Sequence, residues 1–140
     1  MEQLITFASN NGMLSAIWVA LVVMIIVSTI KIKMSPIKQI SPQELTFLMN
    51  REEGLTLDIR KENEYKKAHI LDAVSLPNEK ITEKGFTSLE KHKDKPIIVV
   101  CAAGMSAVPV ANKLHKSGFA NVSVLKGGMN SWTGAGLPVA

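Results

Sequence analysis

The chain has 140 residues, of which 46% are apolar and 20% charged, and its formal net charge is +4. This length supports one domain with at most a short appendage, and the composition excludes a wholly disordered chain. A single cysteine excludes an internal disulfide framework and a zinc site built on several cysteines. The two arginines, Arg51 and Arg60, and the 5% aromatic content are not typical of a nucleic-acid binder, so we expect no nucleic-acid partner.

An uncharged apolar segment lies near the N-terminus, at residues 13–30. As a helix it would extend about 27 Å, close to the hydrocarbon thickness of a bilayer. A buried core helix is a poor alternative, because the rest of the chain could not cover it on every side and also fill its own core. A cleaved signal peptide would begin with basic residues, whereas Met1–Gln3 has none. We therefore expect a retained transmembrane helix over residues 13–30.

All 16 lysines and arginines follow residue 30, and three of them lie within residues 31–38. The positive-inside rule therefore predicts a single-pass protein of the cell (inner) membrane with its N-terminus outside. In this interpretation residues 1–12 are extracytoplasmic, residues 31–39 form a linker, and residues 40–140 form a cytoplasmic domain. The unpaired cysteine agrees with a reducing compartment.

Helix and strand signals alternate along the rest of the chain. Ser41–Glu44 is a capping-box sequence, which predicts a helix that continues to about Asn50. The continuous apolar run Pro96–Cys101 is typical of a strand that is buried on both faces. The other predicted elements are strands at Leu55–Ile59, Ala73–Pro77 and Val122–Leu125 and helices within 61–67, 79–92, 105–116 and 129–132. This alternation predicts an α/β fold with a mostly parallel central sheet flanked by helices.

Cys101 ends the predicted buried strand and precedes a helix. In a parallel α/β sheet, ligands bind at the carboxyl ends of the strands, where the free amides of the following helix favour an anion. The small residues Ala102, Ala103 and Gly104 allow the backbone to curl around the sulfur, and such surroundings favour the reactive thiolate. From position alone, an inert buried cysteine is an equal alternative.

Four segments resemble, in order and spacing, the motifs of rhodanese-like domains, and together they extend from about Ile40 to Pro138. They are Leu57–Arg60, which resembles an Asp-x-Arg strand end; Ala68–Pro77, which is similar to Gly-His-Ile-x-Gly-Ala-x-Asn-Leu-Pro; Cys101–Ser106, which resembles the loop Cys-x-x-Gly-x-Arg; and Leu125–Gly128 with Trp132, which resembles the closing segment. An apolar segment in front of such a domain is similar to the membrane-anchored rhodanese-like proteins of the YibN type. That likeness is strongest in Glu90–Val100.

The resemblance implies a rhodanese-like fold and a sulfurtransferase or persulfide carrier in which Cys101 is the nucleophile. It implies that the amides of the cysteine loop bind the sulfur donor, and the residues concerned are Ala102, Ala103, Gly104, Met105, Ser106 and Ala107. Asp58 and Arg60 would support the site, and a charged pair at a strand end is first of all structural. Neither a metal nor an organic cofactor is implied.

The loop departs from the family pattern at Ser106, where the family has an arginine. That guanidinium would hold an anionic donor such as thiosulfate by paired hydrogen bonds, which a serine cannot replace. Two functions therefore stay open: sulfur transfer from a donor other than free thiosulfate, or a non-enzymatic module that recruits a protein partner at the membrane. The sequence names neither the donor nor the acceptor. A phosphatase loop of the Cys-x5-Arg type is excluded by Ala107.

Overall fold

In a computed structural model the chain forms two compact units, residues 1–35 and 36–140. The backbone is described throughout, and side chains are described for all residues except 32–33 and 82–84. The division between the units falls within the linker that the sequence predicts over residues 31–39.

The first unit consists of two helices, α1 at Glu2–Asn10 and α2 at Gly12–Lys33. Within Gly12–Lys31 of α2, the most apolar 18 residues have a mean hydropathy of 2.6, and none of them is buried inside the protein. Among the described residues this is the one helix that is long and apolar enough to cross a membrane, and it contains the predicted segment 13–30. Its lack of burial does not fit the core helix of a soluble fold.

The second unit alternates strands and helices, which confirms the predicted α/β fold. Its elements are β1 at Lys38–Ile40, α3 at Pro42–Arg51, β2 at Leu55–Asp58, α4 at Glu62–Lys67, β3 at Val74–Ser75, α5 at Asn78–Lys84, a 3-10 helix at Thr87–His92, β4 at Ile97–Val100, α6 at Ala107–Lys116, β5 at Val122–Leu125 and α7 at Gly128–Gly134. The strands form one parallel sheet in the order β1-β5-β4-β2-β3. The predicted helical stretch 79–92 is divided at Gly85, which adopts a φ of +59.

Strand β1 is an element that the sequence does not predict, because Lys38–Ile40 falls at the end of the expected linker. It pairs with β5, and Ile40 alone among its three residues is buried. A three-residue edge strand with one buried side chain carries no periodic signal. The folded unit therefore begins before the predicted boundary at residue 40.

Helix α3 begins at the capping box that the sequence predicts. The Ser41 hydroxyl accepts a hydrogen bond from the Glu44 amide over 3.2 Å, and the Glu44 carboxylate accepts one from the Ser41 amide over 2.8 Å. The bond from the Ser41 backbone is the main cause that lowers the pKa of Glu44 below its usual value. The reciprocal pair fixes where the chain turns from β1 into the helix.

Strand β4 lies in the middle of the sheet, and all of Ile97–Val100 is buried, as its apolar run predicts. On one face Leu114 of α6 and Phe119 belong to the core. On the other face the core includes Leu45 of α3 and Trp132 of α7. The residue that follows β4 is therefore attached to the best-buried strand of the fold, which gives it a fixed position.

Candidate active site

Cys101 follows β4 at the carboxyl edge of the sheet, between the neighbouring strands β2 and β5. The loop 101–106 connects it to α6, which begins at Ala107. Cys101 is 5% exposed, and its sulfur accepts a hydrogen bond from the Gly104 amide over 2.9 Å. An N–H that points at the sulfur stabilises negative charge there. The sulfur therefore has a hydrogen-bond donor beside it that would stabilise a thiolate, and this is the position where the sequence predicts a nucleophile.

The same loop offers further hydrogen-bond donors. Among the described residues, no acceptor is bonded to the amides of Ala102, Ala103, Met105 or Ser106. The backbone curls back at Gly104, whose φ of +90 lies in the region that glycine adopts without strain. A short loop with several unpaired amides is suited to hold an anion.

The first turn of α7 supports this loop through backbone contacts. The Met129 amide donates to the carbonyl of Cys101 over 2.8 Å, and the Asn130 amide donates to the carbonyl of Ala102 over 3.1 Å. Gly128, at a φ of +57, packs so closely that an added Cβ would overlap the Cys101 carbonyl oxygen. A Cβ at Gly104 would similarly lie 2.9 Å from the backbone nitrogen of Gly127. The sequence identifies these glycines by resemblance but does not predict that they touch the cysteine loop.

Asp58 and Arg60 form a buried ion pair at the end of β2. The Arg60 Nη2 lies 2.7 Å from the Asp58 Oδ2, its Nε lies 3.0 Å from the Oδ1, and the two side chains are 11% and 1% exposed. The same Nη2 donates to the carbonyl of Ala68 over 2.7 Å. The pair thus joins the end of β2 to the end of α4, which is the structural role that the sequence favours. The Arg60 guanidinium is already engaged and does not take the place of a loop arginine.

The side chains of the loop differ in their exposure. Met105 is 84% exposed, whereas Ala107 is fully buried and packs in the core of the domain. The Ala107 side chain is therefore not at the surface where a donor would bind, so this residue can contribute only its backbone. Ser106 is exposed and precedes α6, and its hydroxyl does not cap the helix. Arg51, the other arginine of the chain, lies in the last turn of α3.

An open cavity of about 320 Å³ adjoins the supporting elements, and sequence reasoning missed it. Its lining residues come from the end of β2, from α4 and from α7, and they are Arg60, Glu64, Lys67, Ala68, Met129, Asn130 and Thr133. It borders the cysteine loop through Met129 and Asn130, whose amides bond to that loop. No cluster of three or more metal-ligating side chains occurs among the described residues.

A thiol at the end of the central parallel strand, bonded to an amide of its own loop, places this domain in the class of parallel α/β domains that hold a single cysteine at the carboxyl edge of the sheet. Residues 41–135 match the rhodanese-like domain family, and the chain belongs to that family. The resemblance drawn from its four sequence segments is thereby confirmed.

Similar proteins divide into those that match the whole chain and those that match the domain. The chain is 40% identical over 139 residues to the uncharacterized protein YibN of Escherichia coli strain K12, which covers 99% of this chain and 97% of that protein. It is 36% identical over 98 residues to the thiosulfate sulfurtransferase GlpE of Pseudoalteromonas translucida, with 70% of this chain and 90% of that protein covered. The crystal structure of a rhodanese-related protein from Thermoplasma volcanium matches with a TM-score of 0.66 and 27% identity, over 74% of this chain and 97% of that chain.

Proposed function

We propose that this chain carries sulfur as a persulfide on Cys101 and transfers it to a nucleophilic acceptor at the cytoplasmic face of the membrane. The observation that supports this most directly is the Gly104 amide bonded to the Cys101 sulfur at 2.9 Å. A thiol held this way at the carboxyl edge of the sheet is placed to accept and release sulfur. The similarity to a protein named as a thiosulfate sulfurtransferase supports the same class of reaction.

The proposed transfer has two steps. In the first, the Cys101 thiolate attacks the outer sulfur of a persulfide donor R–S–SH, the sulfur–sulfur bond of the donor breaks, and R–S⁻ leaves with the bonding electrons. In the second, an acceptor nucleophile attacks the outer sulfur of the Cys101 persulfide, and the thiolate of Cys101 leaves. The loop amides stabilise the anionic sulfur in both steps.

The donor that we propose is one other than free thiosulfate. Ser106 brings no charge to the loop, and the Arg60 guanidinium is held by Asp58 and by the Ala68 carbonyl. A dianion such as thiosulfate would then be held by amides without a bidentate guanidinium. A persulfide of a small thiol or of a protein carries less charge on its sulfur atoms and needs no such clamp.

Sulfur loading of the full chain tests this function. The purified, reduced protein is incubated with a small-molecule persulfide or with thiosulfate, and its intact mass is measured. We expect the persulfide to add one sulfur atom to wild type and none to Cys101→Ser, since an alkoxide at this position cannot carry sulfur as a persulfide. Loading of Cys101→Ser to the wild-type level would place the reactive group elsewhere and contradict the proposal.

A second function is favoured by one observation, the absence of a guanidinium at Ser106. A rhodanese-like domain without turnover would act as a binding module that recruits a protein partner at the membrane. Met105, 84% exposed, would offer such a partner an apolar contact on the loop. The result that would support this second function is that no donor loads Cys101 in the experiment above.

We further propose that Gly12–Lys31 crosses the cell (inner) membrane once, with the N-terminus outside. Its length, its apolar composition and the position of all 16 basic residues after residue 30 support this orientation. A reporter that is active only outside the cytoplasm, fused after Ala140, should give no signal. The same reporter fused before residue 12 should be active, and the reverse pair of results would overturn the orientation.

Ser106→Arg should improve the use of thiosulfate by roughly ten- to a hundred-fold. A guanidinium at this exposed position gives the anion a charge-assisted partner, which contributes about 1.5–3 kcal/mol, and a factor of ten in rate corresponds to about 1.36 kcal/mol. The measurement is the rate of sulfur transfer from thiosulfate to cyanide. Ser106→Gln, which adds length without charge, is the matched control and should gain little.

Combining each variant with Cys101→Ser should remove the thiosulfate activity, because the sulfur then has no carrier. A wild type that already uses thiosulfate as fast as Ser106→Arg would show that the missing arginine does not limit turnover. An equal gain from Ser106→Gln would show that charge is not the cause.

A further inference from the structure

One edge of the sheet collects positive charge, and it is the edge opposite the cysteine loop. Because all five strands are parallel, the segment 91–96 that leads into β4 and the last turn of α6 both lie at the amino edge. Together they carry four lysines that we name the basic corner: Lys91, Lys93, Lys113 and Lys116. Three of these side chains are exposed and Lys93 is half-buried.

The structure holds the two parts of the basic corner together. The Lys93 ammonium lies 5.8 Å from the centre of the Phe119 ring, which follows α6 closely in the chain. A Cβ at the intervening Gly118 would lie 3.8 Å from the same ammonium. Lys93 therefore lies beside the end of α6, where the negative end of the helix dipole accommodates cations.

The carboxylates near this edge lie outside α6. They are Glu52, Glu53, Glu90 and Asp94. Glu53 is bonded to Lys95 over 2.9 Å, which is a lysine outside the corner. Helix α6 contributes no acidic residue, and residues 96–140 contain no aspartate or glutamate. Helix α6 therefore presents positive charge at this edge, and none of its own residues is negatively charged.

The chain enters the sheet at this same amino edge. Helix α2 ends at Lys33 and strand β1 begins at Lys38, so four residues separate them. An extended connection of that length spans at most about 17 Å. A membrane at the end of α2 would then be within reach of the amino edge. A bent connection brings this edge within the Debye length of about 8–10 Å over which the field of anionic lipids acts.

We propose that the basic corner binds the anionic headgroups of the bilayer that holds α2, a proposal that rests on the membrane anchor proposed above. This contact turns the amino edge of the sheet towards the membrane. The carboxyl edge with Cys101 then faces the cytoplasm, where soluble donors and acceptors reach it. The short connection and the charge of the corner favour lipid over an acidic protein as the occupant.

Lysine footprinting of the full chain in nanodiscs tests the proposal. Discs are made of phosphatidylcholine alone or with added phosphatidylglycerol, and an uncharged acylating reagent is read out by peptide mass spectrometry. We expect Lys91 and Lys93 to be acylated at least about threefold more slowly in the anionic discs, relative to Lys61, which precedes α4, and Lys66 within it. High salt should remove the difference, since it screens the headgroup charge.

Two double variants with the same loss of charge separate a local contact from net charge. Lys113→Gln with Lys116→Gln should remove most of the protection, whereas Lys80→Gln with Lys126→Gln, at the opposite edge, should retain it. Equal protection in neutral discs, equal loss in both double variants, or no protection would each overturn the lipid contact. Failure of the chain to stay with the discs on gel filtration would instead overturn the membrane anchor, so the two failures are distinguishable.

Discussion

Gly128→Ala should lower the free energy of unfolding of the domain by about 4 kcal/mol or more, which is a large part of the stability of a typical small domain. Gly128 adopts a φ of +57, and a Cβ there would overlap the carbonyl oxygen of Cys101. That carbonyl is part of the backbone and is bonded to the Met129 amide, so it cannot turn aside as a flexible side chain would. The clash must therefore displace either the cysteine loop or the first turn of α7.

Urea unfolding followed by tryptophan fluorescence measures this effect, with Gly134→Ala as the matched control. Gly134 lies at the other end of α7, and a Cβ added there would meet no atom within 4 Å. We expect that control to change the free energy of unfolding by less than about 1 kcal/mol, since alanine is the better helix former. Equal effects of the two substitutions would contradict the close packing of Gly128 against the loop.

The sulfur-loading experiment adds a second result for the same pair. If Gly128→Ala still folds at low temperature, Cys101 should load sulfur more slowly, because the bonds from Met129 and Asn130 that support the loop are disturbed. Gly134→Ala should load as wild type does. A folded Gly128→Ala with wild-type loading would show that this support does not position the thiol.

The position of Cys101 could be predicted because it depends on local patterns and one topological rule. An unbroken apolar run identifies β4 as a strand buried on both faces, and the carboxyl end of such a strand is where α/β domains bind ligands. The capping box at Ser41 and the order of the remaining elements are equally local signals. They need only neighbours along the chain, which a sequence displays directly.

The features that could not be predicted depend on how separate elements pack against one another. Nothing near Gly128 in the sequence shows that it meets the carbonyl of Cys101, because that contact depends on how α7 crosses the end of the sheet. The bond from Arg60 to Ala68 likewise depends on where α4 ends. The burial of Ala107 follows from the way the first turn of α6 packs against the sheet, which the sequence alone does not show.

The loop serves two requirements that compete for the same residues. For the sulfur transfer that we propose, the amides of its backbone must stay unpaired, and the loop must also be rigid enough to hold one geometry. The structure separates these requirements. The carbonyls of Cys101 and Ala102 are bonded to α7, while the amides of Ala103 and Met105 have no acceptor among the described residues. The carbonyls of the loop therefore contribute to its stability, and its unpaired amides are left for the binding that we propose.

Asp58→Asn should lower the free energy of unfolding by about 3 kcal/mol, because breaking a buried pair leaves the other charge without compensation. Asp58 is 1% exposed, and its carboxylate accepts bonds from the Arg60 backbone and from two nitrogens of the Arg60 side chain. Asparagine keeps one acceptor oxygen but not the negative charge. Urea unfolding measures the loss, and Glu62→Gln in the exposed pair with Lys66 is the control, where we expect a much smaller change.

Arg60→Lys should fall between the two, since an ammonium keeps the charge but cannot bond Asp58 and Ala68 at once as the guanidinium does. If Asp58→Asn were no more destabilising than Glu62→Gln, the pair would not be what fixes the end of β2 to the end of α4.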